Sequence, residues 1–271
     1  MTDQLIETIE DGVATLTMNR PEARNALTSD MQAALSEAVP RLAADRSVRC
    51  VVITGAGRAF CAGGDVKGFA EAAQSGGGSG GGGGFNLEAR AYGLRQSADV
   101  CRQLHEMPKP TLAVIPGPAA GAGLSIALAC DLRIAADDAK LTTAFSKVGL
   151  SGDYGGSYFL THLVGAAKAR ELYFTADVIS GREAAALGIV NRAVPADELE
   201  AAAHAFARHL AGLPTVAVGY MKRNLNAAET GSLSEVLELE SLHMVRTLMT
   251  EDHKGAAVSF VRKEQPVFHG R

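Results

Sequence analysis

The chain has 271 residues, of which 47% are hydrophobic and 21% are charged, and its formal net charge is −4. This apolar content is enough for a full hydrophobic core, which excludes an intrinsically disordered chain. Acidic and basic residues are interspersed without a large basic block, and this argues against a nucleic-acid-binding protein.

From the N-terminus, alternating apolar residues around Asp11-Gly12 predict a β-hairpin over residues 5–9 and 13–18. Thr28-Ser29-Asp30 offers favoured N-cap residues and predicts a helix that runs to about residue 44. Apolar runs further along the chain predict alternating buried elements, namely strands at 50–54, 111–115, 132–135 and 140–142, and helices at 66–73, 86–106 and 121–130.

The second half of the chain is predicted to be mostly helical from about residue 155, with one strand-like patch at 189–194. Strands separated by helices in a ββα rhythm, followed by helices alone, predict an α/β fold with an α-helical tail. Helices are predicted at 197–211, 215–228 and 233–248. The last of these carries an apolar stripe suited to the core or to a subunit interface: Leu233, Val236, Leu237, Leu239, Leu242, Val245 and Leu248.

The cysteines and the N-terminal segment bear on the cellular compartment. Cys50, Cys61, Cys101 and Cys130 show no CxxC spacing, which is typical of reduced thiols rather than of a disulfide framework or a zinc site. The opening MTDQLIETIEDG lacks the features of a signal peptide, and no stretch approaches the ~20 apolar residues of a membrane span. We therefore expect a cytoplasmic protein without membrane segments or a bound metal.

Glycine is concentrated in one place, because eight of the nine residues at 76–84 are glycine. The run lies close to predicted core elements, so we interpret it as a loop insertion rather than a domain boundary. Two readings stay open: an inert surface insertion, or a flap over a neighbouring pocket, since such a run has high backbone entropy and no side chains to pack.

Two predicted strand-to-helix junctions are rich in small residues: AFCAGGD at 59–65 and GPAAGAG at 117–123. Small residues allow a ligand or another backbone segment to approach closely. Free N–H groups at the start of a helix favour a developing negative charge, so each junction could supply one N–H to a single oxygen. Tight packing of the turns is the alternative interpretation.

These segments resemble a known family. FCAGGD at 60–65, PGPAAGAGLSIALACDLRIA at 116–135 and AFSKVGLSGDYGGSYFL at 144–160 resemble the signature segments of the crotonase superfamily, the enoyl-CoA hydratase/isomerase group. NRPEARNAL at 19–27 and SGREAAALGIVNRAVP at 180–195 resemble its N-terminal segment and its passage into the C-terminal helices. The resemblance covers essentially the whole chain in the right order.

The resemblance implies a spiral of ββα units that binds an acyl-CoA thioester, over residues 1–195. It also implies an α-helical region at 196–271 that assembles a homotrimer or a dimer of trimers. No cofactor is expected beyond the coenzyme A of the substrate. The thioester carbonyl would lie between the backbone N–H groups of Gly64 and Ala122, which would stabilise an enolate.

The same resemblance implies substrate-binding residues. Arg24 matches a position close to coenzyme A, and Phe260 and Lys263 match a segment that reaches the coenzyme A of a neighbouring subunit. Ala62, Asp65 and Lys67 belong to the CoA-binding turn or follow it. For the charged residues among these, an ordinary surface position is the alternative.

The carboxylates decide between the reactions of the family. Its hydratases carry two catalytic glutamates, at positions that match Ser125 and Phe145 here. Hydration needs one group to activate water and another to handle the proton at the α-carbon, and this pair cannot supply both. The sequence therefore argues against simple hydration.

Asp153 matches a position at which two kinds of similar isomerase use an aspartate as base: those of the ring-opening phenylacetate pathway and the dienoyl-CoA isomerases. In similar aryl-CoA dehalogenases, the aspartate at this position is the nucleophile. A single carboxylate can remove a proton from an activated carbon and return it elsewhere, which moves a double bond. Asp153 could instead cap the following helix. Tyr154 could line the acyl pocket or simply pack.

We therefore predict an enoyl- or dienoyl-CoA isomerase with Asp153 as acid and base. An enoyl-CoA hydratase with a relocated carboxylate, a catalytically inactive CoA-thioester-binding protein and a dehalogenase remain as alternatives.

Overall fold

A computed structural model describes residues 2–64 and 86–271. The predicted helix at 66–73, the glycine run at 76–84, and the predicted site residues Asp65 and Lys67 lie outside the described residues. In chain order, the strands are β1 (Leu5–Glu10), β2 (Val13–Met18), β3 (Cys50–Gly55), β4 (Thr111–Ile115), β5 (Ala119–Ala120), β6 (Leu132–Ala136), β7 (Lys140–Thr142), β8 (Ile179–Ser180) and β9 (Arg192–Val194).

Helices follow and separate these strands. In chain order they are α1 (Ser29–Ala44), α2 (Leu87–Glu106), α3 (Ala122–Ala129), α4 (Gly156–Thr175), α5 (Gly181–Ala186), α6 (Leu199–Ala211), α7 (Thr215–Ala228), α8 (Leu233–Leu248) and α9 (Glu251–Arg262). None of them is long and apolar enough to cross a membrane.

Most predicted elements of residues 2–64 and 86–271 are confirmed. The hairpin pairs Leu5 with Met18 and Glu10 with Val13 around the Asp11-Gly12 turn. Helix α1 begins after Thr28, whose hydroxyl accepts the Met31 N–H as an N-cap. The strand predicted at 189–194 is shorter, because only Arg192–Val194 pairs with β6. Strands β5 and β8 and helix α9 were not predicted.

The main sheet has the strand order β1-β2-β3-β4-β6-β9, and all its neighbours from β2 onward are parallel. Parallel strands covered on both faces read as continuous apolar runs, as CVVITG and TLAVI do here. Helix α6 packs on β2, β3 and β6, and α3 packs on β4. The shorter β5, β7 and β8 form a second sheet that joins the site segments to α4.

The predicted division at residue 195 stays a prediction. Helix α6 contributes Leu199, Ala203, Ala207 and Leu210 to the same buried core as the sheet. The helices that follow it are more exposed.

A buried ion pair fixes α7 to the sheet. The Lys222 ammonium group donates hydrogen bonds to the Leu104 carbonyl (2.7 Å), the Lys109 carbonyl (3.2 Å) and Asp131 Oδ2 (2.8 Å). Asp131 Oδ2 also accepts the N–H (2.7 Å) and the hydroxyl (2.9 Å) of Thr111, the first residue of β4. The lysine side chain is only 6% exposed, so its charge depends on these partners.

Replacing Lys222 by Met tests this pair. We expect the free energy of unfolding to fall by about 3–5 kcal/mol, because the substitution removes the cation and leaves the Asp131 carboxylate in a desolvated position. Chemical denaturation measures the change. The control is Lys168→Met, which breaks the exposed pair with Glu171 and should cost less than about 1 kcal/mol. Equal losses in the two variants would contradict the assigned role.

Candidate active site

The turns that follow β3 and β4 are joined by backbone hydrogen bonds. The N–H groups of Phe60 and Cys61 both donate to the Pro118 carbonyl, at 3.0 and 3.2 Å, and the Ala120 N–H donates to the Cys61 carbonyl at 2.9 Å. These bonds continue the parallel pairing of the two strands beyond the sheet. They bring the AFCAGGD segment beside the start of α3 at Ala122.

Glycine makes this contact possible. A Cβ atom on Gly123 would lie 2.4 Å from the Cys61 carbonyl oxygen, and one on Gly63 would lie 2.7 Å from the Ala120 oxygen and 3.4 Å from the Ala122 nitrogen. Gly63 also has φ +88°, in the left-handed region that side chains rarely adopt. The tight-packing reading of the glycine-rich junctions is therefore confirmed, and the reading in which the junctions supply two N–H groups to one oxygen stays a prediction.

The amides of Gly64 and Ala122 are the donors singled out by sequence. Ala122 is the first residue of α3, where N–H groups have no partner within the helix. Among residues 2–64 and 86–271, no backbone carbonyl accepts a hydrogen bond from either amide. Within this part of the chain both amides are therefore available to a ligand oxygen, and the positive end of α3 supports negative charge there. Their use as an oxyanion hole stays a prediction.

The NRPEARNAL segment supports the first turn. The Arg24 carbonyl accepts the Ala62 N–H at 2.9 Å, while the Arg24 side chain is exposed. Asn25 is fully buried, and its side-chain amide donates to the carbonyls of Ala56 (3.0 Å) and Ala59 (2.8 Å). Sequence reasoning missed Asn25, although it lies within the segment that carried the resemblance.

Asp153 is half-buried on the turn before α4. Its Oδ1 atom is buried and has no hydrogen-bond partner in the described part of the chain, and burial raises its pKa to about 6. The alternative of a helix cap is wrong. Gly155 occupies the N-cap position, and the Gly156 N–H bonds to the backbone carbonyl of Asp153 at 3.1 Å rather than to its carboxylate.

The two positions that match catalytic glutamates serve packing. The Ser125 hydroxyl donates to the Gly121 carbonyl at 3.2 Å within its own helix. The Phe145 ring stacks on Tyr173, with ring centroids 6.0 Å apart. A Cβ on Gly156 would lie 2.3 Å from Ser125 Oγ and 2.6 Å from the Tyr173 hydroxyl, so these side chains meet over the start of α4.

Tyr173 is a second residue that sequence reasoning missed, because its position on α4 gives no local signal. Burial, together with the neighbouring Asp153 carboxylate, raises its pKa to about 12. The phenol therefore stays neutral beside Asp153 at physiological pH.

Tyr154 is 4% exposed and has φ +53°. Its hydroxyl is buried, and the Ser97 side chain lies close enough to act on it as a hydrogen-bond partner, although no hydrogen bond of ordinary length and angle joins it to a described residue. Burial and the Asp153 charge raise its pKa. Buried polar groups normally have partners, so Asp153 Oδ1, which has none among residues 2–64 and 86–271, makes this place a candidate for ligand binding.

Not every predicted residue is brought to this place. Phe260 is 85% exposed, and Lys263 ends α9, which packs mainly against α8. Within one chain, backbone hydrogen bonds place Ala62 against the Arg24 carbonyl and Cys61 against Ala120, in the turns that carry Gly64 and Ala122, and Tyr154 lies within electrostatic range of Cys61. That Asp153 acts together with these turns stays a prediction.

A sequence model of the family described as "Enoyl-CoA hydratase/isomerase" matches residues 8–271. The chain belongs to this family. It is 35% identical over 271 residues to the 1,2-epoxyphenylacetyl-CoA isomerase of Escherichia coli K12, covering 100% of both proteins. It is 36% identical over 265 residues to a probable enoyl-CoA hydratase of Rhodobacter capsulatus, covering 97% of this chain and 96% of that one.

Solved structures agree with this assignment. A putative enoyl-CoA hydratase from Streptomyces coelicolor A3(2) superposes with a TM-score of 0.90 at 33% identity, over 99% of this chain and 94% of that one. The predicted crotonase fold is thereby confirmed for this member of the enoyl-CoA hydratase/isomerase family.

Replacing Gly123 by Ala tests the contact between the turns in this enoyl-CoA hydratase/isomerase. The new methyl group meets the Cys61 backbone, so we expect the free energy of unfolding to fall by about 1–3 kcal/mol. Thermal or chemical denaturation measures it. Gly93→Ala is the control, since nothing lies within 4 Å of its Cβ position and helix propensity favours Ala by up to about 1 kcal/mol. A Gly123→Ala variant with the same free energy of unfolding as the wild type would show that the turns can separate.

Proposed function

We propose that the protein is an enoyl- or dienoyl-CoA isomerase in which Asp153 moves a proton along the acyl chain. One observation carries the proposal: Asp153 has a buried carboxylate oxygen without a partner among the described residues, while Ser125 and Phe145 stand where a hydratase would have its glutamates. A single carboxylate that acts first as base and then as acid suits a reaction that begins and ends with the same proton.

The proposed reaction has two proton transfers. The Asp153 carboxylate removes a proton from a carbon acidified by the conjugated thioester, and the electron pair moves toward the carbonyl oxygen. The N–H groups of Gly64 and Ala122 stabilise that oxygen, where one such donor contributes roughly 3–4 kcal/mol. The carboxylic acid then returns the proton to another carbon of the enolate, so the double bond has moved and nothing is consumed.

The pKa of Asp153 suits this double role. A value of about 6 leaves the group ionised at neutral pH, so it can act as base. The pKa is also far enough above the ordinary 3.8 that the carboxylate binds the proton more tightly than an exposed aspartate would, before it returns the proton to the substrate. Burial is the cause, so a bound acyl group that excludes more water would reinforce the effect.

Relatives guide the choice of substrate. The E. coli relative is named for an acyl-CoA isomerase, which supports an acyl-CoA thioester here and isomerase chemistry. In this proposal Ala62 and Arg24 contact coenzyme A together with Asp65 and Lys67, and Tyr154 contacts the acyl group. No cofactor is required beyond the coenzyme A of the substrate. A cytoplasmic location is part of the proposal, supported by four unpaired, buried cysteines.

Enoyl-CoA hydration is the second candidate, because the Rhodobacter capsulatus relative is named a probable enoyl-CoA hydratase. It requires a water molecule activated by Asp153 in place of the missing glutamates. Assay of crotonyl-CoA at high enzyme concentration separates the two candidates, since the isomerase proposal expects no water addition.

We further propose that the protein forms a homotrimer or a dimer of trimers. Along α8, Leu233, Leu237, Leu242, Val245 and Leu248 are between 42% and 75% exposed, so this stripe is not part of the core of its own chain. Exposed apolar patches of this kind mark interfaces. Assembly would also give Phe260 and Lys263 a route to the coenzyme A of a neighbouring subunit.

Asp153→Asn tests the catalytic proposal. We expect kcat on enoyl- or dienoyl-CoA substrates to fall about 10²–10⁴-fold, because the amide cannot accept the proton. The wild-type kcat/KM should decline as the pH falls below about 6, as the base becomes protonated. In the variant, kcat/KM should no longer decline below about pH 6. Asp197→Asn, an exposed carboxylate on the loop before α6, should leave both kcat and the profile unchanged.

The same variant makes a prediction about stability. The folded-state pKa of Asp153 is raised above its ordinary 3.8, so its protonated form stabilises the fold, and that contribution is lost as the pH rises from about 4 through 6. Asp153→Asn should therefore have a higher Tm than wild type at pH 7, by a margin that shrinks toward pH 4. Unchanged turnover together with unchanged Tm would remove Asp153 from the mechanism.

Val245→Glu tests the assembly proposal. A carboxylate on the exposed stripe of α8 should shift the protein from trimers or hexamers toward monomers, because burying an unpaired charge at an interface is costly. Light scattering coupled to gel filtration measures the mass. Glu238→Gln on the same helix is the control and should keep the wild-type mass. A monomeric wild-type protein would refute self-association.

A further inference from the structure

A cavity lies near the amino ends of β3 and β4, and among the described residues all the charged side chains that line it are basic. Its volume is about 660 Å³, and it lies between the segment that joins α1 to β3, the residues before β4, the first turns of α7 and the C-terminal tail. No Asp or Glu of residues 2–64 or 86–271 lines it, and its basic side chains are Arg46, Arg49, Lys109, Arg223, His269 and Arg271. In a chain with a net charge of −4, this is a local concentration of positive charge.

The cavity is separate from the proposed catalytic site. Arg49 and Lys109 precede β3 and β4, whereas the two glycine-rich turns follow the same strands. Because β3 and β4 are parallel, the cavity and the turns lie at opposite edges of the sheet. The six residues of β3, at ~3.3 Å each, place about 20 Å between them.

Lys109 places a buried ammonium group at the cavity, and no carboxylate of the described residues forms a hydrogen bond with it. It is 6% exposed, and its ammonium group donates to the backbone carbonyls of Leu42, at 2.6 Å, and Asp45. Burial lowers its pKa, while the Asp45 carboxylate, which is bound to Ser47, acts on it only through space.

Arg49 holds the far wall of the cavity in place. Its guanidinium group donates to Thr215 Oγ1 (3.0 Å), the Leu213 carbonyl (2.6 Å) and the Phe268 carbonyl (2.8 Å). All three acceptors are neutral, so they position the charge without cancelling it. Through these bonds α7 and the C-terminal tail are fixed around the opening.

Arg46 and Arg223 are the side chains left to contact a ligand. Both are exposed, and neither has an ion-pair partner in the part of the chain that the structure describes. The Arg223 guanidinium lies 6.0 Å from the centre of the Tyr220 ring, which also lines the cavity. Arg271 differs from them, because it pairs with Glu251 at 2.9 Å.

We propose that this cavity is a second binding site, which takes a phosphate-bearing anion of the size of a nucleoside diphosphate. Guanidinium groups bind phosphate oxygens in a bidentate geometry, and two of them are unpaired at the opening. The volume falls within the range of about 300–1,000 Å³ that small-molecule sites occupy. The site is independent of the proposed isomerase chemistry at the other edge of the sheet.

Calorimetric titration with ADP and with pyrophosphate tests the proposal. Both should bind the wild-type protein, with affinities that fall as salt is raised, because the attraction is between charges. In the double variant Arg46→Glu/Arg223→Glu the dissociation constants should rise about ten-fold or more. Arg46→Gln/Arg223→Gln should give a smaller rise, since it removes the charges without reversing them.

Two controls show whether a loss of binding comes from this cavity, from the change in net charge or from damage to the catalytic site. Arg170→Glu/Arg182→Glu makes the same change in net charge at exposed positions outside the cavity and should bind both ligands as the wild type does. Acyl-CoA turnover without added ligand should be unchanged in Arg46→Glu/Arg223→Glu. The absence of sub-millimolar binding to wild type, or equal binding by wild type and Arg46→Glu/Arg223→Glu, would overturn the proposal.

Discussion

The close backbone contact between the two turns that follow β3 and β4 is the constraint on which the site depends. Hydrogen bonds from Phe60 and Cys61 to Pro118, and from Ala120 to Cys61, carry the parallel pairing past the sheet. That approach is possible only because Gly63 and Gly123 have no Cβ. Two amides that are far apart in sequence thereby become neighbours at the start of α3. The donors are backbone atoms, so the arrangement tolerates many side chains and little change in backbone spacing.

A second constraint is the cost of keeping a carboxylate away from water. Asp153 has a buried oxygen without a partner among residues 2–64 and 86–271, and its raised pKa expresses that cost. A structural aspartate would be capped or paired, as Asp131 is by Lys222 and Thr111. Asp131 stabilises the fold through its partners, whereas Asp153 has the kind of raised pKa that is often found at functional sites.

The opposite ends of the sheet differ in chemistry. Near the carboxyl ends, the small residues of the turn at 59–64 lie beside the start of α3. Near the amino ends, basic side chains surround a cavity and hold α7 and the C-terminal tail. Helices α8 and α9, by contrast, leave apolar side chains exposed, which is expensive for an isolated chain.

The sequence by itself determined the family, the order of most strands and helices within the described residues, and the absence of the usual glutamate pair at Ser125 and Phe145. These follow from local periodicity, turn residues and contiguous motifs, which neighbouring residues encode. Only the tertiary structure showed that Asp153 does not cap α4, that Asn25 and Tyr173 support the site, and that the α8 stripe is exposed. Each of these depends on which distant segments come into contact, and a side chain's burial and partners are properties of that contact rather than of its local sequence.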